Sequence, residues 1–197
     1  MSSEKPSGDR PQLLVFAGPN GSGKSTVTKG LPIVGLYVNA DEIKRVSGCS
    51  DLEAAQEAEK IRHILLDGRQ DFIFETVLST DRNLELLRQA KDAGYEIHAV
   101  FVLTCSSDIN VRRVQERVLS GGHDVPEEKI RSRYIRSLKN LSRLVRIADR
   151  TRVIDNSGTE PALICEVNGG TVRIWETEHW TKKAILGLLY EQAENGQ

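Results

Sequence analysis

The sequence has 197 residues, of which 39% are hydrophobic and 28% are charged, and its net charge at pH 7 is −1. This length suffices for one domain with a sizeable core and is marginal for two. The near-zero charge gives no overall reason to expect nucleic acid or an anionic membrane as a partner. No apolar run approaches the roughly 18 residues that span a bilayer. The polar start shows no signal peptide, so the sequence predicts a soluble globular protein.

The cysteines and the distribution of charge add detail. Only three cysteines occur, at wide spacing without metal-type pairing, which is typical of reduced thiols in a cytoplasmic protein. Residues 111–152 carry 12 Lys/Arg against 5 Asp/Glu, so a basic segment lies within an otherwise acidic chain. We expect a flexible N-terminal tail over residues 1–12 and a single domain over residues 13–197.

The first half of the chain alternates short apolar runs with segments rich in helix formers. Residues 13–17 are typical of a strand buried on both faces, and a helix should run from Lys24 to near Gly30. Gly68 and Gly94 are expected to end two later helices. The alternation continues with predicted strands over 36–43, 71–79 and 96–105 and predicted helices over 51–68 and 81–94. This order predicts right-handed βαβ units around a parallel sheet.

The basic segment is predicted to be helical. Residues 107–122 should form a helix capped at Ser107 or Asp108, and a second helix should follow Pro126. Apolar side chains recur at helical spacing along this second helix, so one face should pack inward. Together the two helices are expected to form a helical lid over about residues 108–147.

The last part of the chain returns to strands. Residues 152–158 predict a final core strand, and residues 162–175 resemble a hairpin that turns at Asn168–Gly169. A terminal helix is expected from about Glu178. The predicted fold class is therefore α/β: a three-layer P-loop NTPase or kinase fold, with a mainly parallel sheet flanked by helices and a helical lid.

A glycine-rich turn after the first strand carries the clearest motif. It matches G-x-x-x-x-G-K-[ST] in full and reads Gly18-Pro19-Asn20-Gly21-Ser22-Gly23-Lys24-Ser25, followed by Thr26. The glycines let successive backbone N–H groups point at phosphate oxygens, at the positive end of the next helix. Lys24 is expected to reach the β- and γ-phosphates, and the Ser25 hydroxyl is expected to hold Mg²⁺. The flanking strand and helix favour a nucleotide site over a chance glycine turn.

Two acids stand at the ends of predicted strands. Asp41 lies in NADE, and Glu75 lies beside Thr76 in FET. Because ligands gather at the carboxyl ends of parallel strands, both acids should face the same cleft as the P-loop. An acid placed to accept a proton from a hydroxyl is what a kinase needs and a simple NTPase does not. The alternatives are that Asp41 caps the following helix and that Glu75 is structural.

The helical lid is expected to bring arginines to the nucleotide. In small-molecule kinases such a lid neutralises charge on the transferred phosphoryl group. The Gly121–Gly122 break between its helices could act as a hinge. The candidate arginines are Arg113, Arg117, Arg131, Arg133 and Arg136. The alternative is a solvated basic face; nucleic acid is a less favoured partner because only 5% of the residues are aromatic.

Five segments occur in a fixed order between about residues 15 and 158. They read GPNGSGKST, NADEI, FETVLST, RVLSGGHDVPEEKIRSRYIRSLKNL and DNSG. In this order they resemble the zeta-toxin-like P-loop kinases. The resemblance implies a phosphotransferase that uses ATP with Mg²⁺. In the toxin members it implies phosphorylation of UDP-N-acetylglucosamine at the 3′-hydroxyl of the sugar.

The resemblance also implies roles for individual residues. Lys24 and Ser25 would bind ATP and magnesium, and Asp41 would be the general base. The remaining assignments are that Glu75 and Thr76 help to place a sugar or sugar-nucleotide acceptor, and that Arg117 and Arg133 clamp the phosphates. The GGHDVP segment is typical of compact members, whose lid differs from that of the toxins. For His123 a lid-loop or capping role is favoured over that of a catalytic base, and an antitoxin partner, which the sequence does not show, stays open.

Two other functions remain open at this point. One is a nucleotide-binding regulatory module that hydrolyses ATP slowly and signals through order in the lid. The other is a kinase acting on polynucleotides or nucleosides, although aromatic platforms for bases are scarce. The pair Asp41 and Glu75 favours a small-molecule kinase, because a switch needs no acceptor site.

Overall fold

The computed structural model describes residues 10–29, 34–122 and 124–190. These residues form one seven-stranded sheet with the strand order β2-β3-β1-β4-β5-β6-β7. The first five strands in this order are parallel, and the last two are antiparallel to their neighbours. The strands are β1 (Gln12–Ala17), β2 (Leu36–Val38), β3 (Phe72–Thr76), β4 (Glu96–Leu103), β5 (Arg150–Asp155), β6 (Ala162–Asn168) and β7 (Thr171–Ile174).

Helices lie on both faces of this sheet, which confirms the predicted α/β class with a mainly parallel sheet. They are α1 (Lys24–Thr28), α2 (Ala40–Ser47), α3 (Asp51–Asp67), α4 (Arg82–Asp92), α5 (Ser107–Leu119), α6 (Glu127–Ile147) and α7 (Lys182–Tyr190). No helix within the described ranges is both long enough and apolar enough to span a membrane.

The central strand β4 explains why the sheet is covered on both sides. Its side chains alternate between faces, so Ile97 and Phe101 join the large core under α3, α4, α6 and α7. Val100 and Val102 point the other way, into a smaller cluster that includes Val27 of α1. A strand buried on both faces needs a continuous apolar run, and β4 has one.

Two predicted boundaries near the start of the chain differ from the structure, and one helix is additional. The predicted tail extends too far, because Gln12 already pairs in β1 and Arg10 donates to the Tyr95 carbonyl at 2.8 Å. The strand predicted over 36–43 ends at Val38, since the Asn39 side chain accepts from the Asp41 N–H and starts α2. Helix α2 was not predicted.

Smaller corrections apply later in the chain. Helix α5 is capped by Ser106, whose hydroxyl accepts from the Asp108 N–H at 3.1 Å, and not by Ser107 or Asp108. The hairpin turns at Gly169–Gly170, where both φ angles are positive, rather than at Asn168–Gly169. The terminal helix starts at Lys182 rather than near Glu178.

Candidate active site

The turn between β1 and α1 has a backbone that strongly favours glycine. Gly18, Gly21 and Gly23 have φ angles of 141°, 74° and 84°. A Cβ atom on Gly18 would lie 2.0 Å from the Val102 carbonyl oxygen, and one on Gly21 would lie 2.4 Å from the Asn110 carbonyl oxygen. These distances are far inside van der Waals contact, so the loop packs directly on β4 and α5.

Two asparagines from distant parts of the chain hold this loop in shape. The Asn110 side-chain amide donates to the Asn20 carbonyl at 2.5 Å, and the Asn156 amide donates to the Ser22 carbonyl at 2.8 Å. The Thr104 hydroxyl donates to the Asn110 side-chain oxygen and fixes that amide. The Gly18 and Ser22 N–H groups donate to backbone carbonyls, and fixing the loop in this shape lets its remaining N–H groups face an anion. Sequence reasoning assigned no role to either asparagine.

The Lys24 ammonium lies over the same loop. It donates to the Gly18 carbonyl at 2.7 Å and to the Pro19 carbonyl at 3.2 Å. The pKa of Lys24 is lowered to about 8, chiefly by burial; Glu75 and Asp41 oppose this shift, and Arg117 adds to it. Three charged residues of the cleft thus modify a pKa that is lowered mainly by burial.

A cleft of about 460 Å³ opens in front of the P-loop. Arg113 reaches it from α5, and its Nη1 atom is buried without a hydrogen-bond partner among the described residues. The buried Ser22 hydroxyl also lacks a partner within those residues. Orphaned donors beside a glycine cradle fit a polyanion such as a nucleotide phosphate chain. The cleft is lined by Asn20, Gly21, Gly23, Lys24, Ser25, Thr26, Asn39, Ala40, Asp41, Glu75, Thr76, Val77, Arg113 and Arg117.

A short hydrogen-bonded chain links the two acids of this cleft. The Asn39 side chain caps α2 by accepting from the Asp41 N–H at 2.9 Å, and its amide donates to the Tyr37 hydroxyl at 3.3 Å. Tyr37 in turn donates to the Glu75 carboxylate. Burial and this bond to Glu75 raise the pKa of Tyr37, so Tyr37 stays a proton donor. Asp41 and Glu75 are thus positioned by one network.

A second cavity of about 580 Å³ adjoins the first, and the two share Ala40, Glu75, Thr76 and Val77. Thr76 is 7% exposed, and its hydroxyl accepts from the Leu78 N–H at 2.9 Å and the Asn83 amide at 2.7 Å. The rest of the wall is formed by Ala55, Ala58, Arg62, Leu78, Ser79, Thr80, Arg82, Asn83 and Arg133.

The lid arginines fall into distinct groups. Arg117 lines the P-loop cleft, whereas Arg133 lines the second cavity and donates to the Asn20 side chain at 3.3 Å. Arg131 pairs with Asp108 and Glu127 outside both cavities, and Arg136 bonds to Ser132 of its own helix. His123 lies outside the described residues.

A mainly parallel sheet, a glycine-made phosphate cradle at its centre and arginines above the cradle define the chain as a P-loop kinase-type protein. The family model described as Zeta toxin matches residues 36–178, so the chain belongs to the Zeta toxin family and is a phosphotransferase. The match begins after the P-loop and includes both acids and the arginines named above.

Individual proteins that resemble this chain have low sequence identity to it. An uncharacterized protein of Haemophilus influenzae is 28% identical over 129 residues, which are 62% of this chain and 92% of the relative. A chain from the AvrRxo1-ORF1:-ORF2 complex crystallised with ATP has a TM-score of 0.70 at 15% identity, covering 96% of this chain and 67% of that one. A chain from the PezAT toxin-antitoxin system of Streptococcus pneumoniae has a TM-score of 0.51 at 17% identity. The match covers 81% of this chain and 75% of that one. At such identities the two structures show the shared fold.

Proposed function

We propose that the protein is an ATP-dependent kinase that transfers the γ-phosphoryl group to a hydroxyl of a sugar or sugar nucleotide resembling UDP-N-acetylglucosamine. The observation that carries this proposal is the pair of cavities that meet at Glu75 and Thr76. One cavity is the phosphate cradle and the other has no P-loop residue in its wall. A transferase needs two such compartments with a shared border, because donor and acceptor must meet there.

The donor side is proposed to hold ATP at residues Gly18 to Thr26, through Lys24 and through those loop N–H groups that do not already donate to a carbonyl of the protein. The fit is supported by the glycine cradle and by the unpartnered Ser22 and Arg113 donors. Mg²⁺, held by the Ser25 hydroxyl and the phosphates, would neutralise charge on the nucleotide. Lys24 would exchange its bonds to the loop carbonyls for bonds to phosphate oxygens.

Asp41 is proposed to be the general base. Had Asp41 capped α2, its carboxylate would be occupied, but Asn39 performs that role. Within residues 10–29, 34–122 and 124–190, the Asp41 carboxylate accepts no hydrogen bond, so it can take the proton of an acceptor hydroxyl. This arrangement also weakens the regulatory-module alternative, in which Asp41 served as the cap.

Glu75 and Thr76 are proposed to bind the acceptor. Tyr37 occupies one oxygen of Glu75, which leaves the other for a sugar hydroxyl. The Thr76 hydroxyl accepts two hydrogen bonds and still has a proton to donate. Arg117 and Arg133, assisted by Arg113, would stabilise the negative charge of the phosphoryl group in transit.

A protein antitoxin is proposed as a partner on the basis of family membership alone. The PezAT neighbour is described as part of a toxin-antitoxin system, and the AvrRxo1-ORF1 neighbour was crystallised with AvrRxo1-ORF2. Expression of the chain in a bacterial host, with and without Asp41→Asn, tests for toxicity. Equal growth of the two cultures would count against a toxin that needs an antitoxin.

The kinase proposal is tested by incubating the purified protein with ATP, Mg²⁺ and a panel of acceptors. The panel holds sugars, sugar nucleotides, nucleosides and 5′-hydroxyl oligonucleotides, and products are identified by mass spectrometry. We expect one class of sugar-containing acceptor to gain a phosphoryl group, and Lys24→Ala to abolish the transfer. ATP hydrolysis without transfer to any acceptor would favour the regulatory module, and transfer only to oligonucleotides would favour the polynucleotide kinase.

A further inference from the structure

The inward face of α3 contains an arginine where an apolar residue is expected. The buried positions of this helix are Ala54, Ala58, Arg62 and Leu66, four residues apart, which is the stripe that faces the core. Arg62 is 9% exposed. Burying a guanidinium is costly unless an anion or several acceptors surround it. We therefore expect Arg62 to have an anionic or hydrogen-bond-accepting partner.

The described residues do not supply one. The Nε atom of Arg62 is buried without a hydrogen-bond partner among them. The nearby acid Glu59 already pairs with Arg82 at 3.2 Å. The guanidinium carbon of Arg62 lies 5.1 Å from the centre of the Phe74 ring, a cation–π contact that leaves the Nε–H without an acceptor. Burial lowers the pKa of Arg62, with Arg82 adding to this effect and Glu59 opposing it.

Arg62 belongs to the wall of the second cavity. The small side chains of Ala55 and Ala58 leave space on this side of α3, and Glu75 and Thr76 lie on the border shared with the P-loop cleft. Arg82 and Arg133 also line the cavity, so its charged wall residues are three arginines and one glutamate. A volume of about 580 Å³ is within the usual range for a small-molecule site.

We propose that Arg62 binds an anionic oxygen group, a phosphate or a carboxylate, on the acceptor molecule. This inference rests on the proposed kinase function and narrows its substrate class to charged acceptors. The reacting hydroxyl lies at the Glu75–Thr76 border, and the anion lies deeper, against α3. A guanidinium suits this task because its planar fork can bind two oxygens of a phosphate or carboxylate at once.

Binding measurements with matched probes test this assignment without requiring catalysis. The probes are N-acetylglucosamine 1-phosphate against N-acetylglucosamine, and gluconate against glucose, each titrated calorimetrically with a non-hydrolysable ATP analogue present. The variants are Arg62→Met, which keeps the stem, and Arg62→Lys, which keeps the charge. Arg88→Met is the matched control, because Arg88 lies on the outer side of α4 and pairs with Glu85 at 3.2 Å.

We expect the wild-type protein to prefer one charged probe over its neutral match, and Arg62→Met to weaken that binding about 10- to 100-fold. The charged probe that binds identifies the anion as phosphate or carboxylate. Arg62→Lys should recover only part of the affinity, and Arg88→Met should change nothing. The affinity for the ATP analogue should be unchanged in all variants, since Arg62 does not line the P-loop cleft.

Thermal unfolding separates binding from a structural role. Removing an unpaired buried charge should leave the unfolding midpoint of Arg62→Met equal to or above that of the wild type. The proposal is overturned if neither charged probe binds better than its neutral match, or if Arg62→Met keeps the wild-type preference. Arg62→Met that unfolds more easily, together with full affinity in Arg62→Lys, would also overturn it. Phosphoryl transfer to neutral sugars alone would support the kinase function and contradict the proposed role of Arg62.

Discussion

The two cavities of the molecule are made in different ways. The P-loop cleft is built from backbone: glycines at positive φ, loop N–H groups, and carbonyls bonded from behind by Asn110 and Asn156. The second cavity is built from side chains on α2, α3, β3, α4 and α6 and on the loop between β3 and α4. Backbone geometry leaves a strong sequence signature, because only glycine tolerates it. A side-chain wall leaves almost none, since its members are far apart in sequence.

The difference also implies that the two sites can be altered separately. A Cβ on Gly18 would collide with β4 backbone, which cannot move without distorting the sheet. An exchange at Arg62 or Ala58 would change the shape and charge of the second cavity while leaving the phosphate cradle intact. Acceptor choice should therefore be adjustable at constant donor binding, and the variants below test this separation.

The lid arginines should give the largest effect. Arg117→Ala and Arg133→Ala are each expected to lower kcat by about 10³-fold while changing ATP-analogue affinity much less, because charge on the transferring phosphoryl group is greatest in the transition state. Single-turnover rates and calorimetric binding measure the two quantities. Arg112→Ala is the control, since Arg112 is exposed on α5, the helix of Arg117, and faces Glu116 at 4.0 Å. Normal turnover in both test variants would remove them from catalysis.

The second-largest effect is expected for Asp41→Asn. Loss of the general base should reduce phosphoryl transfer by about 10²-fold or more, with the ATP analogue still bound by Lys24 and the loop. Because Asn39 caps α2, the thermal unfolding midpoint should not fall. Glu42→Gln is the neighbouring control, as Glu42 pairs with Arg45 on the outside of α2. Unchanged transfer in Asp41→Asn would leave Glu75 as the candidate base.

Asn156→Ala tests whether the phosphate cradle depends on its support. The variant loses the 2.8 Å bond to the Ser22 carbonyl, so ATP-analogue affinity should fall by about 10-fold, the usual scale for one hydrogen bond. Acceptor-probe affinity should be unchanged if the two cavities are independent. Asn168→Ala, at the end of β6, provides the control. A loss of both affinities would show that the two sites are coupled.

Tyr37→Phe is expected to affect the acceptor site and not the ATP site. Removing the hydroxyl frees the Glu75 carboxylate to rotate, so the KM for the acceptor should rise by about five-fold. Affinity for the ATP analogue should stay the same, because the Tyr37 hydroxyl makes no contact with the P-loop among the described residues. Steady-state kinetics over a range of acceptor concentrations measures this split. An unchanged KM would mean that Tyr37 does not position Glu75.

The smallest effect is a change in protonation at the donor site. Burial lowers the pKa of Lys24 to about 8, and bound phosphates should raise it because they favour the charged form. Binding of the ATP analogue at pH 8.5 should then take up more than about half a proton, whereas at pH 6.5 Lys24 is charged in both states and takes up none. Calorimetry in buffers of different ionisation enthalpy measures the uptake. Lys24→Arg, which stays charged, should abolish it; equal uptake in that variant would assign the proton elsewhere.

Much of the fold followed from local patterns. The order of strands and helices, the parallel sheet and the phosphate loop were all predictable, because continuous apolar runs, helix-forming segments and glycine spacing are properties of neighbouring residues. Helix α2 was missed because apolar Leu36 to Val38 and the following NADEI read as one strand. Asn39 ends that strand by bonding the Asp41 N–H, a contact that residue type alone permits but does not require.

The sequence by itself predicted a phosphate-binding P-loop and placed the chain with the zeta-toxin-like kinases. Only the tertiary structure decided what lies opposite that loop. Asn110 and Asn156 meet the P-loop across 90 and 134 positions of chain. Arg62 reads as one more charged residue on a polar helix until the packing of α3 against β3 buries it over Phe74. Burial and pairing are set by contacts between distant segments, and no local pattern encodes them.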